Sequence, residues 1–197
     1  ISGATSSTYT LTNAEVGKAI TVVANYTDSR STAETVTSSA TGAVTNANDL
    51  GSIAITGAAT QGQTLSTTIT DPDGVPASGI TYQWKSDGTN IAGATGATYT
   101  LTNAEVGKAI TVVANYTDSR STAETVTSLA TSAVTNTNDA GSIAISGTAT
   151  QGQTLSTTIT DPDGVPASGI TYQWKADGTD ISGATSSTYT LTNAEVG

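Results

Sequence analysis

Apolar residues alternate with Thr, Ser and Asn along most of this chain, and Gly, Pro and Asp interrupt the alternation at short intervals. The stretch from Leu50 to Asp139 shows the pattern once in full. Ile53 and Ile55 alternate with Ser52, Ala54 and Thr56, which predicts a short first strand that Gly57 ends. After a turn at Gln61-Gly62-Gln63, Leu65, Thr67 and Ile69 line one face of a second strand. Asp71-Pro72-Asp73-Gly74-Val75-Pro76 cannot continue a central strand, because proline lacks the backbone donor and Gly74 invites a bend. Ile80, Tyr82 and Trp84 mark the inward face of a third strand, and Asp87-Gly88 is a hairpin signal. Ile91 opens a connecting segment, Tyr99 and Leu101 mark a further strand, and Asn103–Gly107 makes a corner. Ile110, Val112, Ala114 and Tyr116 give the clearest alternation of all. Asp118-Ser119-Arg120-Ser121 turns the chain, and Val126 to Val134 predicts the last strand. Only the Asn103–Gly107 corner tolerates helix; capped helical periodicity is absent.

The pattern repeats. Ile1-Ser2-Gly3-Ala4-Thr5 returns at Ile91 and again at Ile181, a period of 90 residues. Residues 1–49 differ from 91–139 at six positions, and 50–107 differ from 140–197 at eight. Ninety residues suit a self-contained domain better than a solenoid unit that needs its neighbours to bury a core. The expected organisation is the C-terminal part of one repeat (1–49), a complete repeat (50–139) and the N-terminal part of a third (140–197). The mid-repeat frame predicts a window on a longer array, with neighbouring units completing the ends.

About seven short strands at turn spacings of eight to twelve residues, with a Trp on the third, predict an all-β fold of tandem immunoglobulin-like β-sandwich domains in a linear array. The series Tyr82-Gln83-Trp84-Lys85, Gly88, Ile91, Gly93-Ala94-Thr95, Thr98-Tyr99-Thr100-Leu101-Thr102 and Val106-Gly107-Lys108 resembles the immunoglobulin-like repeats of large bacterial surface proteins, RTX-type adhesins among them. The resemblance covers every unit. It implies a secreted, cell-surface protein whose repeats act as spacers. The paired cysteines of antibody domains are missing, so Trp84 is expected to pack on aliphatic side chains.

Composition removes most other functions. Six Lys+Arg against sixteen Asp+Glu give a net charge of −10, a surface that repels nucleic acid and anionic lipid and favours cations. No run of eighteen apolar residues exists, so no membrane insertion is expected from this stretch, and an export signal is expected outside it. Cys and His are both absent. That excludes disulfides and thiolate sites, and it removes the usual general base and zinc ligand. A catalytic role is therefore not expected.

The acids remain. In a sandwich whose first strand runs downward from the linker, the second strand rises to end at Asp71–Pro76, and the strand ending at Tyr116 rises to Asp118–Glu124. The linker residues Asn48 and Asp49 arrive at the same pole. Asn48, Asp49, Asp71, Asp73, Asp118 and Glu124 are thus candidate ligands for calcium, which takes six to eight hard oxygens. The corner holding Glu15 approaches from the preceding unit. The repeat extends the assignment to Asn138, Asp139, Asp161 and Asp163, and to Asp28 in the first unit. The competing reading is turn chemistry alone, since Asp and Asn bond their own backbone in turns and Glu124 could pair with Arg120.

Other motifs carry less. Trp84 and Trp174 as sugar platforms conflict with their inward phase. Asn25-Tyr26-Thr27 and Asn115-Tyr116-Thr117 fit the N-glycosylation pattern, which a bacterial chain does not use in this way. Lys108 at a corner is poorly placed for a Lys–Asn isopeptide. Asp71 and Asp73 in one turn cannot flank a glycosidic bond. The expected function is a calcium-stiffened spacer in an extracellular adhesin whose contacts are neighbouring repeats of the same chain. The alternatives are a filament subunit joined to other copies, and a carbohydrate- or protein-binding module.

Overall fold

A computed structural model describes residues 1–196. The first segment holds β1 (Val23–Thr27) and β2 (Ala33–Thr37), paired as an antiparallel hairpin. The complete repeat holds β3 (Ser52–Thr56), β4 (Thr64–Thr70), β5 (Thr81–Ser86), β6 (Thr89–Asn90), β7 (Thr98–Thr100), β8 (Ile110–Thr117) and β9 (Ala123–Thr127). The last segment repeats the start of that series with β10 (Ser142–Ser146), β11 (Thr154–Thr160), β12 (Lys175–Ala176), β13 (Thr179–Asp180) and β14 (Thr188–Thr190).

In the complete repeat, a sheet in the order β3-β4-β7 faces a sheet in the order β6-β5-β8-β9, and every ladder is antiparallel. This is an immunoglobulin-like sandwich. Ile53 and Leu65 from one sheet meet Trp84, Ile110, Val112, Ala114, Tyr116 and Val126 from the other in a single buried cluster. Alternation along β8 puts Ile110, Val112, Ala114 and Tyr116 on that inner face, as the period of a strand requires. Trp84 is fully buried, donates its indole N–H to the Gly96 carbonyl at 2.8 Å, and lies with its ring centroid 6.0 Å from that of Tyr99. Trp174 repeats the arrangement on the Ser186 carbonyl. Neither indole is available to stack on a sugar.

Local chemistry sets the turns. Asp87 and Gly88 both adopt positive φ (45° and 79°), the backbone of a two-residue hairpin whose twist matches its strands. The corner is a short 3-10 turn, Asn103–Glu105, with a reciprocal cap. The Thr102 side chain accepts from Ala104 N–H, and Glu105 accepts from the Thr102 backbone and hydroxyl at 2.9 and 2.7 Å. Asn13–Glu15 and Asn193–Glu195 form the same turn. Glu15 is thereby committed to its own cap rather than to the neighbouring unit.

The expected last strand is interrupted. The ladder stops at Thr127, because Ser128 and Thr131 hydroxyls accept the Val112 and Ile110 N–H groups (both 3.0 Å) where carbonyls would otherwise do so. The chain then crosses to the other sheet, where Thr135 N–H donates to the Ala59 carbonyl and the Thr135 carbonyl accepts from Gln61 N–H, both at 2.9 Å. This locks the exit of the repeat to its β3–β4 loop. Leu65 sits at the centre of the cluster, so Leu65→Ala is expected to cost about 2–5 kcal/mol in denaturant unfolding. The equivalent Leu155→Ala, at a partly exposed site, should cost clearly less.

Candidate metal centre

The register brings three distant segments to one end of the complete sandwich. Ser52 pairs with Thr70, so the linker enters beside the end of β4, and Thr117 pairs with Ala123 at the same pole. Tyr116, on the inner face of β8, donates its hydroxyl to Asp71 Oδ2 at 2.7 Å and ties the two sheets together there. The linker passes directly over this bond: a Cβ on Gly51 would lie 1.9 Å from the Tyr116 oxygen and 2.8 Å from Asp71 Oδ2. Gly74, at φ +100°, lets its loop dock on the next one, where Ser119 N–H donates to the Gly74 carbonyl at 3.0 Å.

Around this contact, Asp71, Asp118 and Glu124 each place a carboxylate oxygen within 4.8 Å of the others. Asp118, Glu124 and Asp73 are only 5, 3 and 3% exposed. Turn chemistry accounts for one oxygen of each loop acid. Asp71 Oδ1 accepts the Asp73 N–H (2.8 Å), and Asp118 Oδ1 accepts the Arg120 and Thr122 N–H groups (2.8 and 2.7 Å). It leaves the second oxygens over. Asp118 Oδ2, Glu124 Oε2, Asp73 Oδ1 and Asn46 Oδ1 are buried and have no hydrogen-bond donor. An unpartnered buried acceptor costs about 1–3 kcal/mol, more when charged, so these oxygens are the costly feature of this pole.

The linker supplies donors as well as acceptors. Asn48 Nδ2 donates to Glu124 Oε1 at 2.7 Å, and both the Asp49 N–H (2.8 Å) and Asn46 Nδ2 (3.1 Å) donate to Asp73 Oδ2. Asp49 therefore joins the group through its backbone. Its exposed carboxylate turns instead to Asn13 Nδ2 of the preceding unit (3.1 Å). Asn13 also donates to the Pro72 carbonyl and accepts from Arg120 Nη2, so Arg120 spans the junction and does not pair with Glu124. Asn46, Asn13 and Tyr116 were not evident as site residues in the sequence. Asn46 shares the linker with the expected ligands, and only the bend of the linker aims it inward.

At the second junction the framework recurs without its closing acids. Asp139 N–H donates to Asp163 Oδ2, Asp163 N–H to Asp161 Oδ1, and Asn103 Nδ2 to the Pro162 carbonyl. Gln61 Nε2 reaches Asp139 Oδ2 at 2.5 Å, which places that carboxylate on the preceding unit, as with Asp49. Asn138 is exposed. Asp28, the first unit's counterpart of Asp118, uses Oδ1 on the Arg30 and Thr32 N–H groups at 2.8 Å and meets none of the other expected ligands.

Protonation follows from these contacts. The Asp49 N–H is the main reason that the Asp73 carboxyl lies below its ordinary range; burial opposes this, and Asn46, Asn13 and Arg120 assist it. Burial first, then the bond to Asp71, push the Tyr116 phenol well above its ordinary value, so it remains a donor.

No family model matches this chain, and no curated protein matches it. Among solved structures, the three N-terminal domains of the bacteriophage RB49 highly immunogenic outer capsid protein (Hoc) match with 19% identity and a TM-score of 0.33. The match covers 72% of this chain and 49% of that one, so the chain spans about half of that neighbour. A likeness at this level carries no argument about what this chain does.

Two outcomes follow. Gly51→Ala must displace Tyr116 from Asp71 and is expected to cost about 1–3 kcal/mol in thermal unfolding, whereas Gly141→Ala meets no tyrosine and should cost less. Because the folded-state value of Asp73 is lowered, its contribution to stability is present above the unfolded value near pH 4 and is lost as pH falls through the folded one. Asp73→Asn should flatten that acid limb in a series of melting curves against pH.

Proposed function

We propose that this chain is a run of spacer domains from an extracellular bacterial surface protein, of the adhesin type, whose junctions are stiffened by calcium. The observation that carries the reading is the set of buried, donor-less oxygens on Asp118, Glu124, Asp73 and Asn46 beside Asp71, at the point where two units meet. The donor set consists of hard oxygens alone, from two loops, the linker and the start of β9, which suits calcium better than the rigid octahedron of magnesium. Bound there, calcium would supply the positive charge that the buried carboxylates lack.

The residues of the chain then make the junction. Two carboxylates at this separation repel by about 3–4 kcal/mol at an effective dielectric near 20, so the loops of the bare protein are pushed apart. Asn46, Asn48 and the Asp49 backbone fasten the linker to the same acids, so whatever orders the acids orders the linker. Asn13 and Arg120 extend that order to the preceding unit. The repeat of near-identical units supports a spacer role, and the resemblance to surface-protein repeats supports the extracellular setting and adhesin class.

Thermal unfolding with calcium, and with chelator, tests the reading. A ligand at a hundred times its Kd adds about 2.7 kcal/mol, so a rise of several degrees is expected. Magnesium should give a smaller rise. Glu124→Gln or Asp118→Asn should abolish most of the calcium effect. An unchanged melting temperature would leave these acids as turn and cap residues only.

A further inference from the structure

The acids at the pole of the complete repeat do not form one shell. Asp71, Asp118 and Glu124 each place an oxygen within 4.8 Å of the others, and Asp73 lies outside that group. Oxygens held by a single calcium ion are at most about 5 Å apart, twice the calcium–oxygen bond. Asp73 nevertheless shares the defect of its neighbours: it is 3% exposed, and its Oδ1 has no donor. The amide oxygen of Asn46 is buried and equally without a donor. Asn46 Nδ2 donates to Asp73 Oδ2 at 3.1 Å, so the two donor-less oxygens belong to side chains already in contact.

The hydrogen bonds divide along the same line. In the triad, Asn48 Nδ2 holds Glu124 Oε1, and the Arg120 and Thr122 N–H groups hold Asp118 Oδ1, which leaves Glu124 Oε2 and Asp118 Oδ2 over. On the linker side, Asn46 Nδ2 and the Asp49 N–H hold Asp73 Oδ2, which leaves Asp73 Oδ1 and Asn46 Oδ1 over. Charge divides in the same way. A single divalent ion matches two of the carboxylates of Asp71, Asp73, Asp118 and Glu124, and the guanidinium of Arg120 is turned to the Asn13 carbonyl at 3.3 Å.

We propose that this pole takes two calcium ions, which rests on the calcium reading above and adds their number, place and order. The inner ion sits on Asp71, Asp118 and Glu124, and the linker ion on Asp73 and Asn46. Three carboxylates of one sandwich hold the inner ion, so it binds first and stabilises the complete repeat. The linker ion has one carboxylate and one amide oxygen and keeps more of its water, so it binds more weakly. Asn46 belongs to the linker and Asp73 to the loop after β4, so the second ion joins linker and sandwich directly. Rising calcium then acts in two steps, on the stability of the repeat first and on the stiffness of its joint second.

Native mass spectrometry across a calcium titration counts the ions. The parent chain carries Asp161→Asn and Asp163→Asn, so that the loop acids of the other junction contribute nothing. Ions are counted in excess of those on the same chain with both Asp73→Asn and Glu124→Gln, which sets the level of adventitious binding. The parent is expected to take two, the first at least about tenfold more tightly than the second. Asp73→Asn should keep only the tight ion, and Glu124→Gln only the weak one. A melting transition in chelator shows that each variant is folded, and the count on the parent stands without them. A single ion on the parent, lost with either substitution, overturns the two-ion site and leaves the calcium reading standing. No ion in excess overturns both.

Discussion

The hydroxyl of Tyr116 donating to Asp71 is the contact on which the pole of the complete sandwich depends. It joins the end of β4 to the end of β8, and so joins one sheet to the other. It also requires glycine at position 51, because the linker crosses directly above it. The inner face of β8 thus carries the core as far as Val112 and Ala114, then changes at Tyr116 from apolar packing to a polar tip. Around that tip lie the carboxylates of Asp71, Asp118 and Glu124.

The acids divide their oxygens between two tasks. One oxygen of Asp71 and one of Asp118 hold turns, as aspartates in loops commonly do. The second oxygen of Asp118, with Glu124 Oε2 and Asp73 Oδ1, is buried without a donor. Turn chemistry therefore accounts for only part of these loops' oxygens, and the proposed cation site would use the ones that the turns leave over. Glu124 differs from the loop acids because it faces inward from β9, and a glutamate on a core-facing strand position is costly unless its charge is met.

Repetition gives the same elements different surroundings. The corner Asn donates to the Pro carbonyl of the next unit at both junctions, so the way one unit meets another is encoded in short local contacts. The acid group is complete only where all three loops of a sandwich are present. A residue such as Asp28 or Asp161 has the right chemistry and the wrong company.

The fold class was legible in the sequence because strand period, turn residues and the 90-residue repeat are local or self-similar signals. Asp87-Gly88 alone specified its hairpin, and Asn103–Gly107 was legible as a corner, whereas its Thr102–Glu105 cap emerged from the structure. Convergence of Asp71, Asp73 and Asp118 at one pole also followed from strand direction. The finer allocation did not. Asp49 turning its carboxylate to Asn13, Asn46 turning its amide inward and Ser128 breaking the last ladder all depend on which atoms the packed elements bring within hydrogen-bonding reach of one another. Sequence period sets the face on which a side chain lies; only the closed sandwich decides what it meets there.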